Sequence, residues 1–394
     1  MFIVEELYNN VRKVNAATGL ISTYAGTKTA SGFSGDGGAA TDAILHLPAG
    51  LAVDSIGNLY IADALNNRVR VVNAATGIIT TICGTGTAGN TGDGGPASAA
   101  TLNYPNDILF DKVGNLYISC FIGGVIRMVN RAGNIMTFAG NGTPGRNGDG
   151  GAATDAAIAP AFLCFDSLGN LFFCDPGSAG CVVRKINTSG IISLVAGVYG
   201  SNTYNGDNIP ATSAQIDATA IAIGPDGLLY IGDAFNNRVR VVDSHGIIHT
   251  IAGSGIRATT GDGGLADTAG VNNPSPIAFD SCGNLFFGEI SGERIRKITY
   301  PHCGYLSVPE VQSQAINDIS VYPNPAFTEI KVASGFAMKR VEVINLIGQV
   351  VGYSDCNCKE VSLDINRLNS GVYFLRTVPV APNLSVEVRR FVKE

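Results

Sequence analysis

Five aspartates that each follow a glycine at regular spacing are the first residues that could do chemistry. They recur every 55 to 58 residues, at Asp36, Asp93, Asp149, Asp207 and Asp262. Carboxylate and backbone carbonyl oxygens suit Ca²⁺, so calcium binding is one interpretation. Each loop supplies a single carboxylate without EF-hand spacing, however, which favours an Asx-turn that caps the short Ala-rich helical turn after it. We therefore expect no metal and no other cofactor, with calcium as the open alternative.

A second set of charged residues recurs further along the chain. Acidic residues stand where an apolar run ends, with Asn and Arg close behind; the set is Asp63, Asn66, Arg68, Asp233, Asn236, Arg238 and Glu289. One interpretation is a ring of charge that binds a ligand, joined by His46 from a nearby loop. The other is a repeated network that pins neighbouring hairpins. Because a ligand site should break the symmetry, we favour the network and retain these eight residues as binding candidates.

Residues in catalytic arrangements are not evident. No Ser/His/Asp or Cys/His constellation is recognisable, and we assign no catalytic residue. We interpret the four histidines as ordinary surface residues: His46, His245, His249 and His302. The nine cysteines contain no CxxC motif. Four of them are predicted to be small core residues: Cys83, Cys120, Cys164 and Cys174. Cys282 and Cys303 could form a disulfide, and Cys356 and Cys358 lack the further ligands that a metal needs.

The elements that position these residues follow a repeat. The aromatic residue of an Asn-Leu-Tyr-like triplet recurs at Tyr60, Tyr117, Phe172, Tyr230 and Phe286. A basic motif recurs at 9–14, 66–72, 124–129, 181–186, 236–242 and 293–298. Both keep step with the Gly-Asp pairs, and a sustained period of this length indicates a repeat architecture.

Each repeat contains four short apolar runs typical of strands. In the best copy they are 50–53, 59–62, 69–73 and 78–83. Links of hairpin length predict an antiparallel meander, and strands that are apolar nearly throughout predict burial of both sheet faces. Repeated four-stranded meanders covered on both faces describe an all-β fold, the β-propeller.

The unit resembles the NHL repeat, a family of propeller blades. The residues that carry the resemblance are Pro48, Gly50, Ala52, Asp54, Gly57, Asn58, Tyr60, Asp63, Asn66 and Arg68, and it extends over about residues 1–300. The resemblance implies a propeller but leaves function open, because the family places adhesion modules, ligase adaptors and a few lyases on one scaffold. The lyases use histidines, some with a metal, and no histidine pair here has convincing ligand geometry.

The basic motif occurs six times, but only five first strands are complete. This count predicts six four-stranded blades, of which the first and the last are incomplete. Residues 2–4 align with the second strand of a blade, so we expect the missing first strand upstream of Met1. The alternative is that residues 305–311 wrap round to close the ring.

Composition limits the partners. Fifty glycines fall in turns without a collagen period, and charged residues make up only 15% of the chain. The net charge of −6 argues against nucleic acid or an anionic membrane as the main partner. No apolar run approaches 18 residues, so we predict no transmembrane segment.

The period stops near residue 300, and 304–317 is predicted to be a linker. Residues 318–394 then carry seven or so short strand patterns, which predict a small Ig-like β-sandwich. This tail resembles the type A sorting domain of the type IX secretion system of Bacteroidota. The residues that carry the resemblance include Tyr322, Pro323, Asn324, Pro325, Gly348, Gln349, Gly371, Tyr373, Arg389, Arg390 and Lys393.

The resemblance of the tail implies a route of export from the cell. Such a domain takes cargo from the periplasm across the outer membrane with the type IX machinery as partner, and is then usually removed, leaving cargo released or attached to the surface. Cargo of this kind also needs an N-terminal signal peptide, and the first ten residues have neither a basic nor an apolar region. We therefore expect that the signal peptide was lost upstream of Met1.

The resulting prediction has three parts: a propeller at 1–303, a linker at 304–317 and a sorting domain at 318–394. The propeller is predicted to be a secreted or surface-displayed binding scaffold, a monomer whose ligand is an extracellular protein or glycan. The alternative is a propeller-type lyase or hydrolase acting on an extracellular substrate, and a third hypothesis is a structural role in a surface matrix. An intracellular adaptor is disfavoured because it would have no use for the sorting tail.

Overall fold

The computed structural model describes residues 1–28, 30–177, 180–299, 319–324, 326–345, 350–380 and 387–393. The chain divides into two compact units, Met1–Leu306 and Ser307–Glu394. The predicted linker 304–317 and the proposed closing segment 305–311 lie outside the described residues. The predicted domain bounds therefore remain predictions.

The first unit is a series of small antiparallel sheets, six of them within the described residues. Sheet 1 contains β1 (Phe2–Glu5), β2 (Asn10–Val14) and β3 (Ile21–Ala25). Sheet 2 contains β4 (Pro48–Val53), β5 (Leu59–Asp63), β6 (Arg68–Val72) and β7 (Ile79–Cys83). Sheet 3 contains β8 (Pro105–Phe110), β9 (Leu116–Cys120), β10 (Val125–Val129) and β11 (Ile135–Ala139).

The remaining sheets of this unit follow the same scheme. Sheet 4 contains β12 (Leu163–Phe165), β13 (Leu171–Pro176), β14 (Cys181–Ile186) and β15 (Ile192–Ala196). Sheet 5 contains β16 (Ile209–Pro210), β17 (Ala218–Ile223), β18 (Leu229–Asp233), β19 (Arg238–Val242) and β20 (Ile247–Ala252). Sheet 6 contains β21 (Pro274–Phe279), β22 (Leu285–Glu289) and β23 (Arg294–Ile298).

The predicted meander is confirmed. The four strands of sheet 2 pair in chain order, and each begins and ends within two residues of its predicted bounds. Sheet 1 starts with the strand that the sequence aligns with the second of a blade, and the described part of sheet 6 has three strands, as predicted. The number of blades and the closure of the ring remain predictions.

The tight turns follow from an Asp-x-x-Gly-Asn pattern. Oδ1 of Asp54 accepts hydrogen bonds from the backbone N–H groups of Ile56 and Asn58, and the Asn58 amide donates to Oδ2. Gly57 has φ +90°, a conformation that favours glycine. The same bonds form around Asp111, Asp166 and Asp280, so the pattern fixes the hairpin between first and second strands.

Short 3-10 helices complete the repeats. Those in the described residues are Glu6–Tyr8, Ala40–Asp42, Ala64–Asn66, Ala97–Ala99, Ala153–Asp155, Ala211–Ser213, Ala266–Thr268 and Ile290–Gly292. The helices that begin at Ala40, Ala97, Ala153, Ala211 and Ala266 follow the Gly-Asp loops, which confirms the predicted Ala-rich turns.

Sheets 2 to 5 are covered on both faces by neighbouring sheets, as predicted. The first strands of successive sheets pack on one another: β4 on β8, β8 on β12, β12 on β17 and β17 on β21. The apolar clusters of this unit each join two sheets that are consecutive in the chain. The core is therefore a series of interfaces between sheets.

The Gly-Asp loops lie along the outer edge of the fourth strands. Ala39 bridges Ile78, Pro96 bridges Asn134, and Ala152 bridges Ile191, while in sheet 5 the same contact is long enough to form β16 beside β20. An uncovered edge strand invites pairing with other chains. Each of the four loops before sheets 2 to 5 thus protects the edge of the sheet that follows it.

Asparagine side chains tie neighbouring sheets together. The asparagine directly before β2, β6 and β19 has a left-handed backbone; these residues are Asn9, Asn67 and Asn237. Its side-chain oxygen accepts the backbone N–H of Leu47, Tyr104 and Asn273 respectively, at 2.8 to 3.2 Å. Each acceptor belongs to one sheet and each donor leads into the next, so these bonds set the position of the loop before the next first strand.

The second unit has fewer and longer strands than predicted. The described residues form β24 (Ile319–Tyr322), β25 (Glu329–Ile344), β26 (Val350–Asp364), β27 (Gly371–Pro379) and β28 (Glu387–Lys393), within one hydrogen-bonded sheet. The prediction of about seven short strands is wrong because the alternation of buried and exposed residues continues through the middle of β25. A register shift between Ala333 and Met338 replaces the predicted break. The Ig-like sandwich remains a prediction.

Replacing Gly50 with alanine should destabilise the first unit. A Cβ at Gly50 would lie 2.4 Å from Oδ1 of Asp107 and 2.5 Å from its Cα, because β4 packs on β8. We expect Gly50→Ala to lower the free energy of unfolding by about 1–3 kcal/mol, measured by urea titration of the full chain. Gly38→Ala is the matched control, since its Cβ meets only an ordinary contact at 3.4 Å. Equal stability of the two variants would contradict the packing described.

Candidate functional site

One arginine in each of sheets 2 to 6 lies at the centre of a hydrogen-bond cluster. Four of these side chains are fully buried and the fifth nearly so: Arg70, Arg127, Arg184, Arg240 and Arg296. Each guanidinium pairs with the aspartate of the preceding Gly-Asp loop at 2.5 to 2.9 Å. A buried guanidinium needs a counter-charge, so the Gly-Asp carboxylate serves as the partner of this arginine. We call these five clusters the arginine braces.

The helix-capping role predicted for Asp36, Asp93, Asp149, Asp207 and Asp262 is wrong. The 3-10 helices after these loops have no side-chain cap; the residue before the helix is Ala39 in the first loop and Pro96 in the second. Asp36 instead binds Arg70 and accepts a hydrogen bond from the hydroxyl of Thr81. Among the described residues no group of three or more His, Cys, Asp and Glu side chains is placed to hold a metal ion.

Most arginine braces contain a second carboxylate. Asp63, Asp175, Asp233 and Glu289 end the second strands of their sheets and lie 3.0 to 3.4 Å from the arginine. These four acids are buried. Sheet 3 differs, because Cys120 ends β9 and Arg127 donates instead to the carbonyls of Thr91 and Thr101, while its Nε has no partner among the described residues. Sheet 3 therefore has the weakest brace.

Burial and the braces shift the pKa values of the acids at the ends of the second strands, the strand-end acids, in opposite directions. Burial raises the pKa of Asp63 and of Asp175, and it raises that of Asp233 to about 6. The arginine, together with backbone N–H donors at all three sites, pulls the pKa back towards its ordinary value. The acids are consequently held by internal partners on every side.

The binding candidates predicted from sequence are part of this internal framework. The Asn66 amide donates to Asp63 and to the Gly32 carbonyl, and the Asn236 amide donates to Asp233. Arg68 bonds the carbonyls of Asn66 and Thr85 and stacks on the Phe33 ring at 3.8 Å.

The other candidates are engaged in the same way. Arg238 bonds the Asn236 and Ser254 carbonyls and stacks on Tyr204 at 3.8 Å. The backbone of His46 donates to Asp63, and Glu289 accepts the Asn272 N–H. These contacts favour the structural interpretation, and ligand binding by this set of residues remains a prediction.

A pocket at the same end of the sheets breaks the symmetry. It has a volume of about 240 Å³ and lies between sheets 3, 4 and 5, where the second strands end and the first strands begin. Its side chains include Tyr104, Asn106, Phe121, Phe162, Asp217 and Thr219. We call it the mouth pocket. Sequence reasoning missed it because its residues come from three repeats and follow no period.

Three aromatic residues at the mouth pocket stand where sheet 2 has non-aromatic residues. Tyr104 takes the place of Leu47 in sheet 2 and Asn273 in sheet 6, and all three share a left-handed backbone before a proline. Phe121 takes the place of Ala64, and Phe162 that of Gly50. The Tyr104 and Phe121 rings meet edge to face with centroids 6.2 Å apart. The signal in the sequence was therefore a departure from the repeat.

Asp107 lies beside the mouth pocket and joins sheets 3 and 4. Its carboxylate accepts the Leu163 N–H at 2.8 Å and the Ile108 N–H at 2.9 Å. Burial raises the pKa of Asp107 to about 7, and the two backbone hydrogen bonds oppose this shift. Unlike the strand-end acids, Asp107 owes none of its stabilisation to an arginine.

The remaining histidine and cysteine predictions are partly tested. Both ring nitrogens of His249 are engaged, with Asn208 at 3.0 Å and Asp243 at 3.1 Å. The cysteines predicted to be core residues are buried: Cys83, Cys120, Cys164 and Cys174. Cys282 is disulfide-bonded, and Cys303, the partner suggested by the sequence, lies outside the described residues.

The predicted sorting residues cluster where β24 and β28 end. Oδ1 of Asn324 accepts the Val392 N–H at 2.9 Å, and the Tyr322 hydroxyl bonds Glu360. Tyr373 stacks on Phe391. Gly371 begins β27, and β28 contains Arg389, Arg390 and Lys393. Pro325, Gly348 and Gln349 lie outside the described residues.

Two family models match the chain. Residues 320–392 match the secretion system C-terminal sorting domain, and residues 3–89 match the teneurin NHL domain. Teneurin-4 of Homo sapiens is 29% identical over 233 residues, which cover 52% of this chain and 8% of that protein. Teneurin-3 of Danio rerio is 29% identical over 318 residues, which cover 69% and 11%. The chain thus spans about a tenth of the length of these relatives.

A solved structure shares the fold. An auxiliary nutrient binding protein from Bacteroides thetaiotaomicron superposes with a TM-score of 0.53 at 16% identity, covering 76% of this chain and 65% of that one. At this identity the likeness shows the fold alone. The repeat, the sheets and the matches define an NHL-type propeller protein. Its tail is a sorting domain of the type IX secretion system, which directs export to the cell surface or the extracellular space.

No helix in the described ranges is long and apolar enough to cross a membrane. The sorting domain implies interaction with the type IX secretion machinery.

Removing the arginine of a two-acid brace should cost more than removing that of the one-acid brace. Arg184→Met leaves the fully buried Asp175 without its counter-charge, whereas Arg127→Met leaves Asp93, which is 51% exposed. We expect a loss of about 3–5 kcal/mol in the free energy of unfolding for Arg184→Met and a clearly smaller loss for Arg127→Met. Urea titrations of both full-length variants measure the difference. A larger loss for Arg127→Met would contradict the role assigned to the second acid.

Asp107 should make stability depend on pH. Its pKa of about 7 in the folded chain exceeds the unfolded value of about 4, so the folded state binds the proton more tightly. The stabilisation is fully present below about pH 4 and is lost as pH rises to about 7. Between pH 5 and pH 8, wild type should therefore lose about 1–3 kcal/mol relative to Asp107→Asn. Parallel urea titrations test this, and a constant difference between the two proteins would refute it.

Proposed function

We propose that the exported propeller is a binding module and that its ligand occupies the mouth pocket. The observation that carries the proposal is the asymmetry of this pocket. Three aromatic side chains, Tyr104, Phe121 and Phe162, converge there from sheets 3 and 4, at positions that hold smaller or non-aromatic residues in sheet 2. Concave, largely apolar sites with a few polar groups are the usual ligand sites of proteins.

The repeated polar residues support the proposal because they already bond one another and are not free to bind a ligand. The strand-end acids and their arginines bond each other within the braces. The carboxylate and guanidinium groups that recur in sheets 2 to 6 therefore act as framework. A ligand must be recognised by residues that differ between repeats, and the mouth pocket collects such residues.

The surface around the mouth pocket offers further contact area. The middle residue of the turn between second and third strands is a large apolar side chain in four sheets. These side chains are between 44% and 84% exposed: Leu7, Leu65, Ile122 and Phe235. They lie at the same end of the sheets as the pocket, and we call them the apolar crown. Exposed apolar side chains grouped on one face favour contact with a macromolecule.

Binding arrays test the proposal on the full chain. Wild type, Phe121→Ala and Ile56→Ala are applied to peptide and glycan arrays at the same concentration. Phe121→Ala removes a ring from the mouth pocket, while Ile56→Ala removes an equally apolar side chain, 77% exposed, from the turn at the opposite end of the strands. We expect saturable binding that Phe121→Ala weakens at least tenfold and Ile56→Ala leaves unchanged.

Two outcomes count against the binding module. Binding that survives Phe121→Ala would move the site away from the mouth pocket. A blank on both arrays would favour the structural role in a surface matrix.

A further inference from the structure

We infer that the mouth pocket binds a cationic side chain, the ammonium of lysine or the guanidinium of arginine, presented by a peptide segment of a partner protein. This inference rests on the proposed function and names the chemical class of the ligand. Three observations support it: the negative charge of the pocket, its aromatic rings, and the stacking of arginines on aromatic rings elsewhere in this chain.

Among the described residues, the lining of the pocket carries negative charge and no positive charge. Asp217 contributes a carboxylate, and no lysine or arginine is among the described residues that line the pocket. Glu6, in the 3-10 helix Glu6–Tyr8, lies near enough to raise the pKa of Tyr104, a shift that begins with burial of the ring. A cation entering the pocket meets negative charge, whereas an anion would be buried without a counter-charge.

Asp217 differs from the acids of the braces. Asp63, Asp175 and Asp233 each have an arginine within 3.4 Å, while the described residues place no basic side chain within ion-pair distance of Asp217. Its carboxylate accepts the Cys181 N–H, and the more distant Arg146 partly offsets the burial that raises the pKa of Asp217. Arg146 itself donates to the Gly180 carbonyl. Asp217 is thus a partly buried acid that, unlike the fully buried brace acids, has no arginine of the described residues within ion-pair distance.

The aromatic rings suit the same ligand. Cations bind to the faces of aromatic rings, more strongly where water is excluded. This chain already uses that interaction, for example with Arg68 at 3.8 Å from the Phe33 ring and Arg238 at 3.8 Å from the Tyr204 ring. In both cases backbone carbonyls complete the site. The mouth pocket repeats these parts, aromatic rings with oxygen acceptors, and lacks the cation.

The size of the pocket indicates a side chain. At about 240 Å³ it is smaller than the ~300–1,000 Å³ typical of sites for free small molecules. The apolar crown extends the contact beyond the pocket, which suits a segment that inserts one residue and lays apolar neighbours on the rim. A peptide with a basic residue between apolar residues meets both requirements.

Blocked hexapeptides test the inference with the full chain. The central residue is lysine, arginine, N-acetyl-lysine or glutamate, and leucine and alanine flank it. N-acetyl-lysine keeps the length of the side chain and removes its charge. We expect the lysine and arginine peptides to bind at least tenfold more tightly than the other two, measured by fluorescence anisotropy of labelled peptides.

Three variants locate the effect. Asp217→Asn keeps an acceptor for the Cys181 N–H and should abolish the tenfold preference for the charged peptide. Phe121→Ala should weaken the binding of every peptide. Asp42→Asn removes one negative charge from the 3-10 helix Ala40–Asp42 and should change nothing, which controls for net charge.

The outcomes separate this inference from the proposed function. A peptide or neutral glycan that depends on Phe121 but binds equally well without positive charge would overturn the cationic ligand and leave the mouth pocket as the binding site. A lysine preference unaffected by Asp217→Asn would also overturn the inference. Binding of every probe that ignores Phe121→Ala, or no binding by any probe, would overturn both.

Discussion

The first unit depends on placing a guanidinium in the interior of each of sheets 2 to 6 and neutralising it there. A buried charge without a partner costs far more than a single packing contact contributes, so Arg70 requires both Asp36 and Asp63. The loop aspartate and the arginine of each brace are 33 to 35 residues apart in the chain. The landmarks of the sequence stay in step because these residues meet at one point in each of sheets 2 to 6. A change in the length of any intervening strand or turn would separate a buried cation from its acid.

The regular part of the fold was predictable because it depends on residues that are close together in the sequence. Apolar runs, Asp-x-x-Gly-Asn turns and hairpin-length links fixed the strands of sheet 2 to within two residues. The sequence did not show which arginine of the Arg-x-Arg pair is buried, since Arg68 and Arg70 have the same type and lie two residues apart on one strand. Nor did it show that Asp36 serves Arg70 and leaves the Ala40–Asp42 helix without a side-chain cap. Both answers depend on where a loop lies against a strand 34 residues later.

Contacts between repeats were harder to foresee. The Asn-Asn pair was visible, but the sequence did not show that one member of it, Asn9, Asn67 or Asn237, binds the backbone of the loop before the next sheet. In the second unit, strand patterns on either side of Ser334 suggested two strands, whereas a register shift lets β25 continue. The mouth pocket was least predictable. A search for repeats averages over positions such as 104, 121 and 162, where the useful information is that one copy differs from the others.

The irregular features of the first unit collect around the mouth pocket. Sheet 3 has Cys120 in place of a strand-end acid, β12 is only three residues long beside first strands of six, and Asp107 bridges the gap to Leu163. Sheets 2 and 5, which have regular two-acid braces, lie on either side of this irregular region. A framework built from repeated ion pairs can lose one acid and shorten one strand locally, because each of its interfaces has a separate apolar core. The interfaces between sheets 1 and 2 and between sheets 5 and 6 keep their own apolar cores, so a repeated fold can hold an asymmetric pocket between sheets 3, 4 and 5 without losing its framework.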